Sequence, residues 1–151
     1  MAAHAIYQTQ FPSLGDTDTV SQAIRQMLDH HVSDLPVIEA SGRFMGMFRL
    51  RDLLGVLLPK AATVGGMPDL AFVSDTIDDL RERVRDIGGQ PVRNYMCSPE
   101  HVVRQDGSPL EMVLLLYKGA NAVPVVSDDG RLVGMVTARD VLAALRTDGV
   151  K

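Results

Sequence analysis

The sequence predicts an α/β protein made of two copies of one β-α-β-β-α unit, with a helical insert between them. Three observations carry that expectation. Shifting the chain by 88 residues lays LPVIEASGRFMGMFRLRDLL (35–54) on VPVVSDDGRLVGMVTARDVL (123–142) without a gap. Nine of those twenty positions are identical, among them Pro36/Pro124, Gly42/Gly130, Gly46/Gly134, Arg51/Arg139 and Asp52/Asp140, where chance gives about one. Each copy alternates short β-branched runs with leucine-rich stretches of helical period. Finally, 151 residues with 46% hydrophobic and 23% charged side chains suit one ordinary domain, or two small units sharing a core, and exclude a disordered or fibrous chain.

The first unit is expected over residues 5–58, opening with a strand near 5–8. Thr19-Val20-Ser21-Gln22 has the pattern of a capping box, in which a hydroxyl and an amide side chain satisfy each other's backbone N–H groups. Val20, Ala23, Ile24, Met27 and Leu28 then form an apolar stripe. Pro36 precedes a short strand at Val37-Ile38, in a place that only a strand start or an edge tolerates. Ala40-Ser41-Gly42 turns the chain into a second strand, Phe44 to Phe48, and a leucine-rich helix follows.

Residues 59–91 read as the insert. Pro59, Gly65-Gly66 and Pro68 break structure, and Asp75 to Ile87 is expected to be a helix with Ile77, Leu80, Val84 and Ile87 on one face, ended by Gly88-Gly89. The second unit spans 92–147. After a strand near 101–104, Ser108-Pro109-Leu110-Glu111 reads as a capping box with proline at the first helical position. Leu110, Val113, Leu114 and Tyr117 follow at helical spacing, with Gly119 as the stop. Val125-Val126, the Asp128-Asp129-Gly130 turn, a strand over Leu132 to Val136 and a final leucine-rich helix repeat the first unit.

Composition narrows the function. A net charge of −4, no tryptophan and 5% aromatics disfavour nucleic acid, which is bound through basic surface and stacking platforms. The richest apolar run, LLGVLL at 53–58, is far below the roughly 20 residues of a membrane helix. The amino terminus lacks a basic stretch followed by an apolar core, and the single Cys97 excludes an internal disulfide, so a cytoplasmic location is expected. His30-His31 are adjacent and cannot share a helical face as metal ligands. No nucleophile, base or metal constellation reads as catalytic, so no enzyme activity and no required cofactor are expected.

Two units carrying PV(I/V), GR(F/L), GM and RD in register, with Tyr95-Met96 and Ser98-Pro99 leading into the second, resemble a cystathionine β-synthase (CBS) domain pair, or Bateman module. The resemblance covers about residues 5–58 and 92–147, although AIYQTQFPSLGD is an atypical lead-in to the first. It implies two repeats packed pseudo-symmetrically through their sheets, with two clefts between them. Those clefts commonly hold AMP, ADP, ATP, S-adenosylmethionine or a cyclic dinucleotide, and the modules act as regulatory sensors on a partner protein. The family's signature of Ser or Thr followed three residues later by Asp falls on Thr137 and Asp140, with Arg139 between them. A helix start there offers unpaired amides and the positive dipole end to an anion, and Asp140 offers an acceptor for ribose hydroxyls. Family analogy lays adenine against Ala122, Val123 and Pro124 and puts His101 near this cleft. The equivalent first site comprises Asp34, Leu35, Pro36, Arg49, Arg51 and Asp52, and departs from the signature because Arg49 stands where Thr137 stands. Thr-x-x-Asp is also an ordinary helix cap, so a ligand-free interaction scaffold is the alternative. The leucine-rich stretches Leu53 to Leu58 and Val141, Leu142, Leu145 carry more apolar surface than one sheet needs, which leads to an expected homodimer.

Overall fold

A computed structural model describes residues 6–58, 76–98 and 101–146. The first unit contains β1 (Leu14–Gly15), α1 (Val20–His30), β2 (Asp34–Ile38), β3 (Phe44–Arg49) and α2 (Leu50–Leu57). Helix α3 (Ile77–Ile87) and a 3₁₀ turn (Val92–Asn94) follow. The second unit contains β4 (Val103–Arg104), α4 (Pro109–Tyr117), β5 (Ala122–Val126), β6 (Leu132–Thr137) and α5 (Ala138–Leu145). Each unit is thus β-α-β-β-α.

Each unit's sheet has three strands in chain order, the first pair parallel and the second antiparallel. The two ladders are equivalent under the 88-residue shift. Asp34 opposes Arg49 as Ala122 opposes Thr137, and both registers slip at one equivalent place, Val37/Ile38 and Val125/Val126. Gly42 and Gly130 close the hairpins at φ +94 and +85, a region that favours glycine. Alternation along the strands sets the layers. Leu35, Val37 and Phe48 face the helices of their own unit, and so do Val123, Val125 and Val136. Phe44, Met47, Val126 and Met135 form a third core where the two sheets meet. The hairpins are tied across that interface, Phe44 N–H to the Gly130 carbonyl (2.9 Å) and Leu132 N–H to the Gly42 carbonyl (3.1 Å).

The expected first strand near 5–8 is not a strand of its own repeat. β1 lies later, at Leu14–Gly15, and Gln8 bridges to Met135 of the other unit with both backbone bonds made, at 2.8 and 3.0 Å. Ile6 and Tyr7 accordingly pack on the second unit's core. The exchange is reciprocal. Cys97 bridges to Met47, and Val92, Tyr95 and Met96 pack into the first unit's core. Gly46 and Gly134 lack side chains because these crossing segments lie on them: a methyl at Gly46 would overlap the Cys97 carbonyl, and one at Gly134 would overlap the Tyr7 ring.

Thr19 and Gln22 form the expected capping box of α1. At α4 the box does not form: Ser108 Oγ accepts from Leu110 N–H (3.1 Å), and Glu111 N–H goes to the Ser108 carbonyl. The stripe expected on α4 faces solvent instead, with Leu110, Val113, Leu114 and Tyr117 exposed, while Met112 is buried and Leu115 and Leu116 pack beside it. That helix is apolar nearly all round, so its period could not choose a face. Leu28 of α1 and Ile77 of α3 are likewise exposed, and no residue of α3 is buried. Helix α3 is pinned mainly at its end, by Ile87 against the first core, Arg83 to the Leu57 carbonyl (2.8 Å) and Ser21 N–H to the Gly88 carbonyl (3.0 Å). The structure-breaking residues Pro59, Gly65-Gly66 and Pro68, and the expected helix start at Asp75, lie outside the described residues.

Two glycine substitutions should therefore act in opposite directions. Gly46→Ala is expected to destabilise the protein by about 1–3 kcal/mol, because the carbonyl it meets belongs to backbone fixed in a bridge. Gly55→Ala, in exposed α2 with nothing within 4 Å, should stabilise it by about 0.4–1 kcal/mol. Urea unfolding of both variants checks the pair, and loss of stability at residue 55 or none at residue 46 would contradict this packing.

Candidate functional site

Strands β3 and β6 each end where a helix begins, and these two junctions open on cavities between the repeats. Thr137 is the last residue of β6 and the N-cap of α5. Its hydroxyl donates to Asp140 Oδ2 (2.9 Å), its backbone N–H donates to the same oxygen (2.8 Å), and Asp140 N–H donates back to Thr137 Oγ1 (3.3 Å). The other carboxylate oxygen, Oδ1, accepts from Gln8 Nε2 at 2.5 Å. Capping and a crossing strap from the amino terminus therefore fix Asp140 from both sides.

This junction lines the larger cavity, about 730 Å³, together with Ala122, Arg139, Pro36 and Asp34. Its walls come from both repeats. His31, the left-handed C-cap of α1 (φ 54), also reaches it, beside His30. Of the residues expected at this site, Val123 is fully buried in the second core, and Pro124 lines the other cavity. Alternation is the reason for Val123, which turns to the core, while Pro124, on the same face as Ala122, joins it in the wall of the other cavity. His101, which family analogy places near this cleft, lines the smaller cavity instead.

The smaller cavity, about 180 Å³, is lined by Asp34, Arg49, Arg51, Cys97, Lys118 and Pro124 among others. Here Leu35 is fully buried in the first core, and Pro36 has moved to the larger cavity. Asp52 does not reach the cavity wall, because Arg49 covers it with a two-pronged ion pair, Nε to Oδ2 (3.0 Å) and Nη2 to Oδ1 (2.8 Å). That hydrogen bonding raises the affinity of the guanidinium for its proton further. Asp34, Asn121 and Ala122 stand in the walls of both cavities. Burial pushes the Asp34 carboxyl up, against partial offset by the nearby Asn121 amide and the charge of Arg49, and its Oδ1 is buried without a hydrogen-bond partner among the described residues. Gln8, Asn121 and Lys118 carried no signal in the sequence, since each reaches its cavity from a remote segment. No group of three or more His, Cys, Asp or Glu able to hold a metal ion occurs among the described residues. Nor is any helix among them long and apolar enough to cross a membrane.

Two pseudo-symmetric β-α-β-β-α repeats packed sheet to sheet, with paired clefts at the strand–helix junctions, define a two-repeat α/β module. The CBS domain profile matches residues 3–59 and 92–147, and the chain belongs to the CBS domain family. It is 25% identical over 125 residues to inosine-5'-monophosphate dehydrogenase of Methanocaldococcus jannaschii, covering 83% of this chain and 20% of that protein. It is 26% identical over 133 residues to the chloroplastic CBS domain-containing protein CBSX1 of Arabidopsis thaliana, covering 85% of this chain and 56% of that one. The chain thus spans a fifth to about three fifths of the length of the first curated relatives it matches. Among solved structures, CBSX2 of Arabidopsis thaliana superposes with a TM-score of 0.74 at 22% identity, covering 95% of this chain and 92% of that one. A structure of CBSX2 in complex with AMP superposes with a TM-score of 0.64 at 24% identity, covering 91% and 89%.

Asp34 makes stability depend on pH in a stated direction. Its folded carboxyl holds a proton to higher pH than the unfolded value of 3.8, so the folded state binds more protons and stability falls as pH rises from that value through the folded pKa. Asp34→Asn is expected to remove this fall and to be more stable than the parent above the window. Urea melts of both proteins between about pH 4 and 7 measure it; parallel curves would show that Asp34 is not penalised by burial.

Proposed function

We propose that the chain is a regulatory sensor that binds an adenosyl ligand (AMP, ADP, ATP or S-adenosylmethionine) in the larger cavity and signals occupancy to a partner protein. The observation that carries this reading is a cavity of about 730 Å³, within the usual range of small-molecule sites, whose walls join both repeats around Thr137 and Asp140. The AMP complex of CBSX2, a relative of the same fold, supports the ligand class. Asp140 Oδ1 is the acceptor for a ribose hydroxyl, taken over from Gln8. Arg139 is exposed at the mouth and pairs with phosphate. Adenine lies against small Ala122 and the Pro36 ring, which both line this cavity. Because one ligand touches both repeats, it favours whichever packing of the repeats fits it, and a partner reads that shift. No step of bond making or breaking is part of this role.

Titration of AMP and ATP against the parent and Asp140→Ala should show at least tenfold weaker binding in the variant, about 1.4 kcal/mol. Thermal melts of ligand-free Asp140→Ala separate this from loss of the cap. The second reading, a ligand-free scaffold, is favoured by one observation: Thr137 and Gln8 already satisfy Asp140 between them. No heat and no thermal shift with either nucleotide would decide for it.

Self-association belongs to the same proposal. Tyr117 is 86% exposed and Leu142 68%, and Leu110, Leu114 and Leu145 are exposed on the same two helices, α4 and α5; Leu53 and Val141, in contrast, are buried in their own units. Apolar helix faces of this kind are covered most simply by a symmetric copy. Light scattering at micromolar concentration is expected to give a dimer mass, and Leu142→Glu with Leu145→Glu a monomer; a monomeric parent refutes it.

A further inference from the structure

The two cavities differ in charge. The larger sets Arg139 against Asp34 and Asp140, whereas the smaller gathers Arg49, Arg51 and Lys118 against Asp34 alone. That concentration of cations stands out in a chain of net charge −4. We propose that the smaller cavity is an anion site that takes a phosphate-type group of two or more charges and no nucleoside.

The exclusion of a nucleoside follows from one residue. In the larger cavity, Thr137 leaves Asp140 Oδ1 open to a donor from elsewhere, and Gln8 shows that a neutral donor reaches it. At the equivalent place Arg49 engages both oxygens of Asp52, at 3.0 and 2.8 Å, and its backbone N–H adds a third bond at 3.2 Å. Asp52, so engaged, lies off the cavity wall, and a ribose diol lacks there the acceptor that Asp140 supplies in the larger cavity. The guanidinium spends two of its five N–H donors on this pair, and the remainder stay on the cation that lines the cavity.

The selection of an anion follows from the other two cations. Arg51 arrives from the first turn of α2, and Lys118 from the C-cap of α4 in the other repeat. Neither has a carboxylate partner among the described residues. Converging cations repel one another, and a multiply charged anion between them converts that repulsion into charge-assisted hydrogen bonds. The single opposing acid, Asp34, is weakened as a repeller, because burial favours its neutral form. At about 180 Å³ the space lies below the roughly 300–1,000 Å³ of drug-sized ligand sites, and suits a compact group. Two sources supply the same chemistry: a free anion, or the phosphate tail of a nucleotide whose nucleoside half rests in the larger cavity beyond the shared Asp34, Asn121 and Ala122.

The test is calorimetric titration of the full chain with pyrophosphate, adenosine and ATP, using the parent, the double variant Arg51→Gln/Lys118→Gln and Asp140→Ala. Both altered cations are exposed side chains, and circular dichroism melts verify that the double variant folds. Pyrophosphate is expected to bind the parent, to weaken as salt is raised, to lose at least tenfold in the double variant, and to be unchanged in Asp140→Ala. Adenosine should be indifferent to the double variant. If ATP exceeds pyrophosphate and weakens in both variants, the source is a nucleotide tail; if the two bind alike and Asp140→Ala leaves ATP unchanged, it is the free anion. Pyrophosphate that does not bind, or that binds the double variant as well as the parent, overturns the anion site, as does adenosine lost in the double variant. Failure of the nucleotide reading is seen separately, as adenosine binding that Asp140→Ala does not reduce.

Discussion

Each repeat completes its core with a segment borrowed from the other. Gln8 and its neighbours Ile6 and Tyr7 lie on β6, and Cys97, with Val92, Tyr95 and Met96, lies on β3 and the core beneath it. The exchange requires bare backbone at Gly46 and Gly134, where any side chain would meet a crossing strap. Neither repeat can then bury its apolar surface alone, and the orientation of the two sheets is fixed by covalent chain as well as by the Phe44, Met47, Val126 and Met135 interface. Both clefts are lined by residues of the two repeats together.

Strand alternation distributes the chemistry from there. The residues flanking each proline, Leu35 and Val37 or Val123 and Val125, point into their own cores, while Pro36 and Pro124 point outward to the opposite repeat's cleft. Each cavity is consequently a composite: a strand–helix junction from one repeat, a proline wall from the other, and Asp34 between them. The two cavities differ at the residue of each helix N-cap, and Lys118 in the smaller stands where His30 stands in the larger. A threonine hydroxyl leaves its neighbouring carboxylate half available, whereas an arginine takes the carboxylate entirely and adds a positive charge. Together with Lys118, this difference gives the two clefts unlike charge.

On the proposed reading, the composite walls are also what makes binding consequential. A ligand held by one repeat alone would report nothing about the pair, but one that touches both changes the free energy of their relative packing. The match to inosine-5'-monophosphate dehydrogenase covers 20% of that enzyme, so the shared part is the module and not the whole enzyme.

The order of elements, the repeat, its hairpins and the Thr137/Asp140 cap were legible in the sequence, because each is written in contacts between residues close in the chain or in an identity that recurs at a fixed offset. Arg49 at the position of Thr137 was visible in the same way, as a departure from the repeat. What the sequence could not tell was which face of α4 turns inward, since a helix apolar all round has no preferred side until a sheet is placed against it. It also could not tell that residues 6–8 serve the opposite repeat, that consecutive strand residues divide between core and cleft, or that Lys118 and Arg51 line one cavity. Those facts depend on contacts between segments far apart in the chain, which leave no local pattern and exist only once the two sheets have packed.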